Sequence, residues 1–539
     1  MRIGDYLVMK GLCSATAVEA AALESQITAE RIGTVLVRNG FLKQDALIDA
    51  ILHLEPDRIR VEKVYNTPVP RAILAENKIV IVAETGDEIF VSTLSTEAQA
   101  RAILQHYYPG KKLRFVPIGA RDLDEFQETL AQTQEEDLSG DNAAVLDILL
   151  SRAVRSNASD IHIEPRSHSF TVFFRMLGVR QIVHEGSLEQ FGVMAAQIKD
   201  RARMDQVETR VPQDGSFSIV TVGRVVDARV ATVPTVNGEV VVIRLLDPDR
   251  ANVSIDELGI SRIAEWQSAT NYPYGLALVC GATGSGKTTT LNATIREMDR
   301  FAKSIRTVEE PVEYRIPYVA QVNVNRIVGL DFATALRAFM RADPDVIVLG
   351  EIRDVETGSL TLRAAETGHM VMATLHTGSI KGAFGRLKAL EVSPLDLQPL
   401  LRGVLVQRLI RTLCLACRGS GCHLCYGSGY AGRTVVSECT SFRSESEVKR
   451  AFEGEQWWPS MIRDAMSKVE TGVTSPIELR RVFHSELENP EFADDPELRN
   501  LQAMIEEAMK EKQSSVAPTQ TTFANDPTTS GISPDEPEA

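Results

Sequence analysis

Three absences narrow the function classes open to this chain. No stretch approaches the roughly 18 consecutive apolar residues that a membrane-spanning helix needs. The first residues lack the basic and apolar segments of a secretory signal. Basic residues are not in excess, because the formal net charge is -15, which argues against broad binding to nucleic acid. We therefore expect a cytosolic protein without a nucleic-acid partner.

Cysteine is scarce and unevenly placed. Four of the seven cysteines fall within one short stretch, a distribution that favours a metal site over a disulfide framework. The remaining composition, with 44% hydrophobic and 24% charged residues, is ordinary for a globular protein. Because 539 residues are too many for one hydrophobic core, we expect about two to four domains.

The clearest motif present is a glycine-rich loop that ends in a lysine and a threonine. An apolar run, residues 276–280, precedes it and a helix-like stretch follows, which is the strand–GxxxxGK[ST]–helix context of a P-loop. Backbone N–H groups of such a loop surround phosphate oxygens, Lys287 reaches the β- and γ-phosphates, and Thr288 offers a hydroxyl to Mg²⁺. The alternative is a glycine-rich turn that binds nothing. The candidate nucleotide-binding residues are Gly281, Ala282, Thr283, Gly284, Ser285, Gly286, Lys287, Thr288 and Thr289.

Two acidic motifs follow, each at the predicted end of a strand. Glu310 and Glu313 flank Pro311, which stops regular structure. Glu351 comes directly after a buried strand at residues 346–349 and one glycine. Ligands of α/β sheets lie at the carboxyl ends of the strands. A carboxylate there can hold Mg²⁺ through water or polarise the attacking water.

Histidine and arginine side chains supply further candidates. His369 and His376 bracket another apolar run, and they are either structural or sensors of the γ-phosphate. Arg229 and Arg244 stand on alternating strands, where they either aim guanidinium groups off a sheet face or are ordinary solvated arginines. The sequence leaves both alternatives open.

The clustered cysteines form two CxxC pairs: Cys414 with Cys417, and Cys422 with Cys425. Two such pairs suit tetrahedral zinc, and four protein ligands leave no open position for chemistry, so we expect a structural site. A redox role is the alternative. His423, which lies within the second pair, is interpreted as a bystander.

An internal repeat opens the chain. Residues 2–12 and 31–41 share the pattern RxGxxLVxxG followed by Leu or Phe, and each copy reads as two short helices with a glycine stop between them. The repeat is either a docking domain or a ligand site that uses the paired arginines Arg2 and Arg31. Composition and motifs divide the chain into a helical repeat domain (1–55), a small α/β unit (56–130), an acidic linker (131–142), an α/β domain (143–250), a P-loop domain (251–440) with the cysteine knuckle at 414–425, a C-terminal helical region (441–512) and a disordered tail (513–539).

Taken in order, these motifs resemble the GspE/PilB-type secretion ATPases, the hexameric motors of type II secretion and type IV pilus assembly. The likeness covers residues 143–440, and the N-terminal repeat extends it. It implies an α/β fold with a RecA-like P-loop ATPase core, preceded by a smaller PAS-like α/β domain and carrying a tetracysteine zinc subdomain. The boxes that match are Gly281–Thr288, Arg306–Glu313, Asp345–Asp354 and Gly368–Thr377.

The resemblance also implies a role for each candidate. Three positions depart from the family pattern: Glu310 replaces an aspartate, Leu177 an acidic residue and Ser216 an arginine. The resemblance implies that Lys287 and Thr288 bind phosphate and Mg²⁺, that Glu351 catalyses the attack of water, and that Glu313 assists at the metal and water. It implies that His369 and His376 couple the state of the γ-phosphate to motion. It also implies that Arg229 and Arg244 reach from the smaller domain and stabilise negative charge.

The resemblance further implies cofactors and partners. These are ATP, Mg²⁺ and structural Zn²⁺, a homohexamer on the inner membrane, an inner-membrane platform protein, and a bitopic membrane assembly protein with a cytoplasmic domain. Some members bind cyclic di-GMP at the repeat, where each copy ends in glutamine; here Gln26 fits with a one-residue shift and Leu54 stands near the second place. The implied function is assembly of a pilus or secretion pseudopilus. The alternatives are a nucleic-acid motor, a pilus retraction ATPase, or a docking module with a degenerate motor.

Overall fold

The chain divides into two compact units, Met1–Ser475 and Pro476–Ala539. Most of the predicted linker at 131–142, Arg2, His423 and the tail beyond 515 lie outside the described residues. The computed structural model describes residues 3–28, 31–43, 46–47, 50, 54, 69, 74, 79–84, 88–93, 97–108, 110–115, 142–221, 224–247, 253–422, 425–489 and 494–515.

The N-terminal repeat is helical. Its helices α1, α2 and α3 pack around the fully buried Leu7 and Leu36, which occupy equivalent places in the two copies. Gly11 and Gly40 follow α1 and α3 with positive φ, the backbone region that glycine enters without strain, so both predicted glycine stops are present. The helices are α1 (Ile3–Met9), α2 (Ala15–Thr28) and α3 (Ile32–Arg38).

A small α/β region comes next. Strand β2 is central, antiparallel to β1 and parallel to β3, and α4 packs on the sheet through Ala100 and Leu104. The elements are β1 (Ile79–Glu84), β2 (Glu88–Thr93), α4 (Glu97–Tyr107) and β3 (Lys112–Phe115).

A six-stranded antiparallel sheet with two helices forms the next region. The strand order is β6-β5-β4-β9-β8-β7, and the core combines inward residues of the sheet with α5 and α6. Strand β6 and helix α6 were not predicted. The elements are α5 (Asn142–Arg155), β4 (Asp160–Pro165), β5 (Ser169–Met176), β6 (Val179–Ser187), α6 (Leu188–Arg201), β7 (Gln213–Thr221), β8 (Arg224–Thr235) and β9 (Gly238–Leu246).

A seven-stranded sheet carries the P-loop. Its order is β12-β11-β13-β14-β10-β15-β16; all neighbours are parallel except β15 and β16. Strands β10, β13 and β14 are buried throughout, as their unbroken apolar runs predict. The strands are β10 (Gly275–Cys280), β11 (Ile305–Glu309), β12 (Ala320–Asn323), β13 (Val346–Leu349), β14 (Met370–Leu375), β15 (Leu401–Leu413) and β16 (Tyr430–Ser441).

Helices connect and flank these strands. Trp266 of α7 and Leu291 of α8 share a core with inward residues of β10. The helices are α7 (Ile263–Thr270), α8 (Lys287–Glu297), α9 (Phe332–Phe339), α10 (Val355–Glu366), α11 (Ile380–Ala389), α12 (Pro394–Leu397), α13 (Glu445–Phe452) and α14 (Met461–Glu470).

The second unit is helical. Its last helix runs to Ser515, three residues past the predicted boundary at 512. The helices are α15 (Pro476–Val482), α16 (His484–Glu488) and α17 (Pro496–Ser515). Among the residues that the structure describes in either unit, no helix is both long and apolar enough to cross a membrane.

Candidate nucleotide site and metal centre

The P-loop stands at the carboxyl end of the buried strand β10. The chain leaves the sheet at Cys280, and α8 begins at Lys287. Gly281, Gly284 and Gly286 have φ of +149°, +78° and +90°, which side chains with a Cβ rarely adopt, so the loop requires glycine there. The predicted strand–loop–helix context is present, and the N-terminus of α8 points its N–H groups at the loop.

Lys287 lies over the loop. Its ammonium donates hydrogen bonds to the carbonyl oxygens of Gly281, at 2.8 Å, and Ala282, at 3.1 Å. Partial burial lowers the pKa of Lys287, and the Glu351 carboxylate opposes that change. Thr288 and Thr289 are half-buried in the first turn of α8. The positive charge therefore stands where the terminal phosphates of a bound nucleotide would lie.

Glu351 reaches the same sheet edge from β13. Its two carboxylate oxygens are both held by cationic or polar groups: Arg353 Nε is 2.7 Å from Oε2, and His376 Nε2 is 3.2 Å from Oε1. The hydroxyl of Thr374 donates to the carbonyl of Gly350 and so fixes the loop that carries Glu351 to β14. The structure brings Lys287, Glu351 and His376 to one edge of the sheet.

The acidic motif after β11 is divided between three environments. Glu309 is buried and accepts hydrogen bonds from Thr307 and Gln321. Glu310 accepts hydrogen bonds from Arg326 and Arg353, which hold the pKa of its carboxyl below the usual range. Glu313 is exposed and raises the pKa of Glu309 electrostatically, in addition to the larger effect of burial.

The structure separates the two histidines that were predicted to act together. His376 follows the carboxyl end of β14, whereas His369 precedes its amino end. Six residues of extended strand span about 20 Å. His369 Nδ1 is 2.8 Å from the carbonyl oxygen of Ala364, which fixes the ring to the end of α10. Within one chain, His369 therefore lies at the other end of β14 from the edge that holds Glu351, and its sensing role stays a prediction.

The two candidate arginines lie on the six-stranded sheet rather than beside the P-loop. Arg229 and Arg244 are exposed and directly opposite each other on β8 and β9. Asp160, opposite Arg244 on β4, accepts a 2.9 Å hydrogen bond from Arg244 Nε and faces Arg175. Burial raises the pKa of Asp160, but hydrogen bonds from Arg244 and Ser159 lower it overall. The alternation of β8 and β9 thus presents both guanidinium groups on one sheet face.

The four cysteines converge at the end of β15. Their Sγ atoms all lie within 4.8 Å of one another, and three of the separations are 3.7–3.9 Å. A tetrahedral zinc with bonds of about 2.3 Å sets its sulfur ligands about 3.8 Å apart. Gly419 and Gly429 cross so closely that a Cβ on Gly429 would lie 2.5 Å from the Gly419 carbonyl. The donor set therefore fits structural zinc.

Arg353 is the site residue that the motifs did not single out. Its guanidinium joins Glu351 and Glu310 through hydrogen bonds of 2.7 Å each, so one cation spans both acidic motifs. Its position two residues after Glu351, on the loop before α10, is the only sequence signal for this contact.

Comparison with known proteins supports one family. The pattern of the "Type II/IV secretion system protein" family matches residues 135–516. The chain is 37% identical to "Type II secretion system protein E" of Pseudomonas aeruginosa over 407 residues, which is 68% of this chain and 81% of that protein. It is 31% identical to "Type IV pilus assembly ATPase PilB" of Myxococcus xanthus over 514 residues, covering 82% of this chain and 90% of that one.

A solved structure shares the fold. The ATPase DotB of Legionella pneumophila superposes with a TM-score of 0.51 at 21% identity, covering 65% of this chain and 98% of DotB. The P-loop, the carboxylate edge and the cysteine centre agree with the sequence relationship. The chain belongs to the type II/IV secretion system protein family, and it is a P-loop ATPase of the secretion-system type.

Proposed function

We propose that this protein is a motor that uses ATP hydrolysis to assemble a type IV pilus or a type II secretion pseudopilus. The observation that carries the proposal is the meeting of Lys287 and Glu351 at one sheet edge in a chain of this family. Two of its relatives are a type II secretion protein and a pilus assembly ATPase. The protein acts as a cytoplasmic homohexamer on the inner membrane, through a platform protein and a bitopic assembly protein.

The proposed chemistry is attack of water on the γ-phosphate of ATP. The P-loop, residues 281–289, binds the phosphates, and Lys287 stabilises their charge. Mg²⁺, held by Thr288 and water, would neutralise the β- and γ-oxygens when bound. Glu351 orients and deprotonates the water; Arg353 and His376 each contact one of its oxygens, and a second lone pair on each oxygen remains for the water.

The remaining candidates have proposed roles around this step. Glu313 assists at the metal and water from the loop after β11. His376, in contact with Glu351, couples the γ-phosphate state to motion. Arg229 and Arg244 act as fingers from the six-stranded sheet; loss of such a finger costs about 10³–10⁵ in rate. Asp160 already orients Arg244 for that task.

For the N-terminal repeat we propose docking as the main role and cyclic di-GMP binding as a second candidate. Arg31 is exposed at the start of α3, as a ligand-binding arginine must be. Gln26 is also exposed, whereas Leu54 cannot supply the glutamine of the second copy. Calorimetric titration of the full chain with cyclic di-GMP, repeated with Arg31→Ala, separates the two roles. Binding that depends on Arg31 supports the ligand role. An absence of binding leaves docking as the remaining role.

Steady-state ATP hydrolysis by the assembled protein, with and without DNA, tests the motor. We expect turnover that DNA does not change and that Lys287→Ala abolishes. Strong stimulation by DNA would favour a nucleic-acid motor instead. Hydrolysis that persists in Lys287→Ala would show that the P-loop is not the site of ATP hydrolysis.

A further inference from the structure

Gln407 lies directly beneath the P-loop and belongs to none of the motifs described above. It is on β15, the sheet neighbour of β10, and its exposed fraction is 0%. A Cβ added to Gly281 would lie 2.5 Å from the Gln407 carbonyl oxygen, and one added to Gly286 would lie 3.2 Å from its side-chain nitrogen. Gln407 therefore forms the floor of the loop from its first glycine to its last.

Both polar atoms of the Gln407 side chain bind the nucleotide loop or its helix. Nε2 donates to the carbonyl oxygen of Ser285 at 2.8 Å, and Oε1 accepts from the hydroxyl of Thr290 at 2.8 Å. Thr290 is fully buried in the first turn of α8, and its N–H donates to the carbonyl of Gly286. One buried side chain thus ties the last part of the loop to the start of the helix.

We propose that Gln407 is a positioning residue that sets the P-loop for nucleotide binding. A trans peptide unit is planar, so the carbonyl of Ser285 and the N–H of Gly286 point in opposite directions. Because Gln407 holds the carbonyl toward the sheet, the Gly286 N–H turns away from the sheet, toward the phosphates. Without this contact the loop samples other peptide orientations and must be ordered when ATP binds. The inference rests on the proposed ATPase site.

The prediction is a loss of nucleotide affinity. Gln407→Leu removes both hydrogen bonds without removing bulk, and we expect the KM for ATP and the Kd of a fluorescent ATP analogue to rise by about tenfold or more. If Gln407 only supported the core, its substitution would lower the fraction of correctly folded, active protein. That change reduces kcat and leaves KM unaltered, so the split between KM and kcat identifies positioning.

Three further variants sharpen the test. Gln407→Glu keeps an acceptor for Thr290 but, when ionised, has no donor for Ser285, so at alkaline pH we expect it to raise KM as Gln407→Leu does. Thr290→Val keeps the bond to Ser285, and its KM should rise less. Thr294→Val is the matched control: it deletes a buried hydroxyl one turn further along α8, bonded to Trp266, and should leave KM at the wild-type value.

The outcomes separate the two proposals. A KM for Gln407→Leu and Gln407→Glu within about twofold of wild type, or a fall in kcat alone, overturns the positioning role. If the leucine variant does not assemble, the nearly isosteric glutamate variant decides. Retention of hydrolysis by Lys287→Ala would contradict the proposed ATPase site itself. That result differs from an unaltered KM in the Gln407 variants, which would contradict only the positioning role.

Discussion

The central residue of the site is Glu351, and in this structure each of its carboxylate oxygens already has a partner. Arg353 and His376 occupy Oε2 and Oε1 respectively. A carboxylate oxygen offers about two lone pairs, so each oxygen of Glu351 can still accept a hydrogen bond from water. In the proposed mechanism, Arg353 and His376 therefore orient the carboxylate while the attacking water uses a remaining lone pair.

Glu309 provides a prediction at the same scale. Burial, and secondarily the charge of Glu313, raise the pKa of Glu309 above its ordinary value of 4.5. A carboxyl whose folded-state pKa is raised stabilises the fold below the unfolded pKa and loses that contribution as pH rises through the folded pKa. Its Oε1 accepts the hydrogen bonds from Thr307 and Gln321, and the amide oxygen of a glutamine can accept both in its place.

We expect Glu309→Gln to be more stable than wild type at pH 8, and the difference to vanish as pH falls toward 4.5 and below. Thermal unfolding at a series of pH values measures it. Glu366→Gln, a change of an exposed glutamate at the end of α10, is the control and should show little change in melting temperature. A difference that grows toward acid pH would contradict the assigned direction.

At the scale of elements, β15 links the two functional features. It carries Gln407 beneath the P-loop and ends at Leu413, directly before the first of the four clustered cysteines, Cys414. Strand β16 starts just after the last ligand and pairs with β15 along its length. The cysteine centre therefore closes the hairpin at the edge of the ATPase sheet, and its metal would fix the end of β15.

Loss of a ligand should open this end of the hairpin. For Cys417→Ser we expect loss of the zinc, about one ion per chain in the native protein, and a lower melting temperature. Cys439→Ser is the control, because it removes a buried thiol of β16 outside the centre and should retain zinc. Elemental analysis decides: native protein without zinc would contradict the metal assignment and favour the redox alternative.

The elements also show where sequence patterns succeed. Strands β10, β13 and β14 were predictable because each is an unbroken apolar run next to a motif. Strand β6 was missed because none of its positions is buried, so it has no alternation of apolar and polar residues. Helix α6 had a usable signal, the capping box of Ser187 and Gln190.

At the scale of the whole molecule, the N-terminal repeat contacts the ATPase region inside the first unit. The Arg300 guanidinium donates to the carbonyl of Asn39 at 3.1 Å and lies 4.3 Å from the centre of the Phe41 ring. Phe41 also stacks on Phe301, at 5.1 Å between centroids. Burial lowers the pKa of Arg300 to about 10, with further repulsion from Arg296. This contact lies just beyond the C-terminal end of α8, the P-loop helix.

No local pattern could have predicted this contact, or the bond from Arg353 to Glu310 that completes its bridge. Residues 39–41 and 300–301 are distant in the sequence, and each segment reads as an ordinary turn. Their meeting depends on how two folded regions pack, which propensity and periodicity do not encode. The motifs identified the chemistry of the site, but not the side chains that hold its parts in place.

Removal of Arg300 should loosen the repeat. In Arg300→Ala we expect amides of residues 31–43 to exchange hydrogen about tenfold faster or more, because a hydrogen bond to a charged group contributes about 1.5–3 kcal/mol. Lys303→Ala, a nearby change of the same charge, is the control. Unchanged exchange in residues 31–43 of Arg300→Ala would show that this contact does not hold the repeat.

The most direct test of the central claim is hydrolysis and binding measured together in Glu351→Gln. The amide keeps the shape of the side chain but cannot take a proton from water. We predict that the assembled variant binds ATP as wild type does, while its turnover falls by about 10²–10⁴-fold. Near-normal turnover in Glu351→Gln would contradict the assignment of Glu351 as the catalytic carboxylate, and with it the mechanism proposed for this motor.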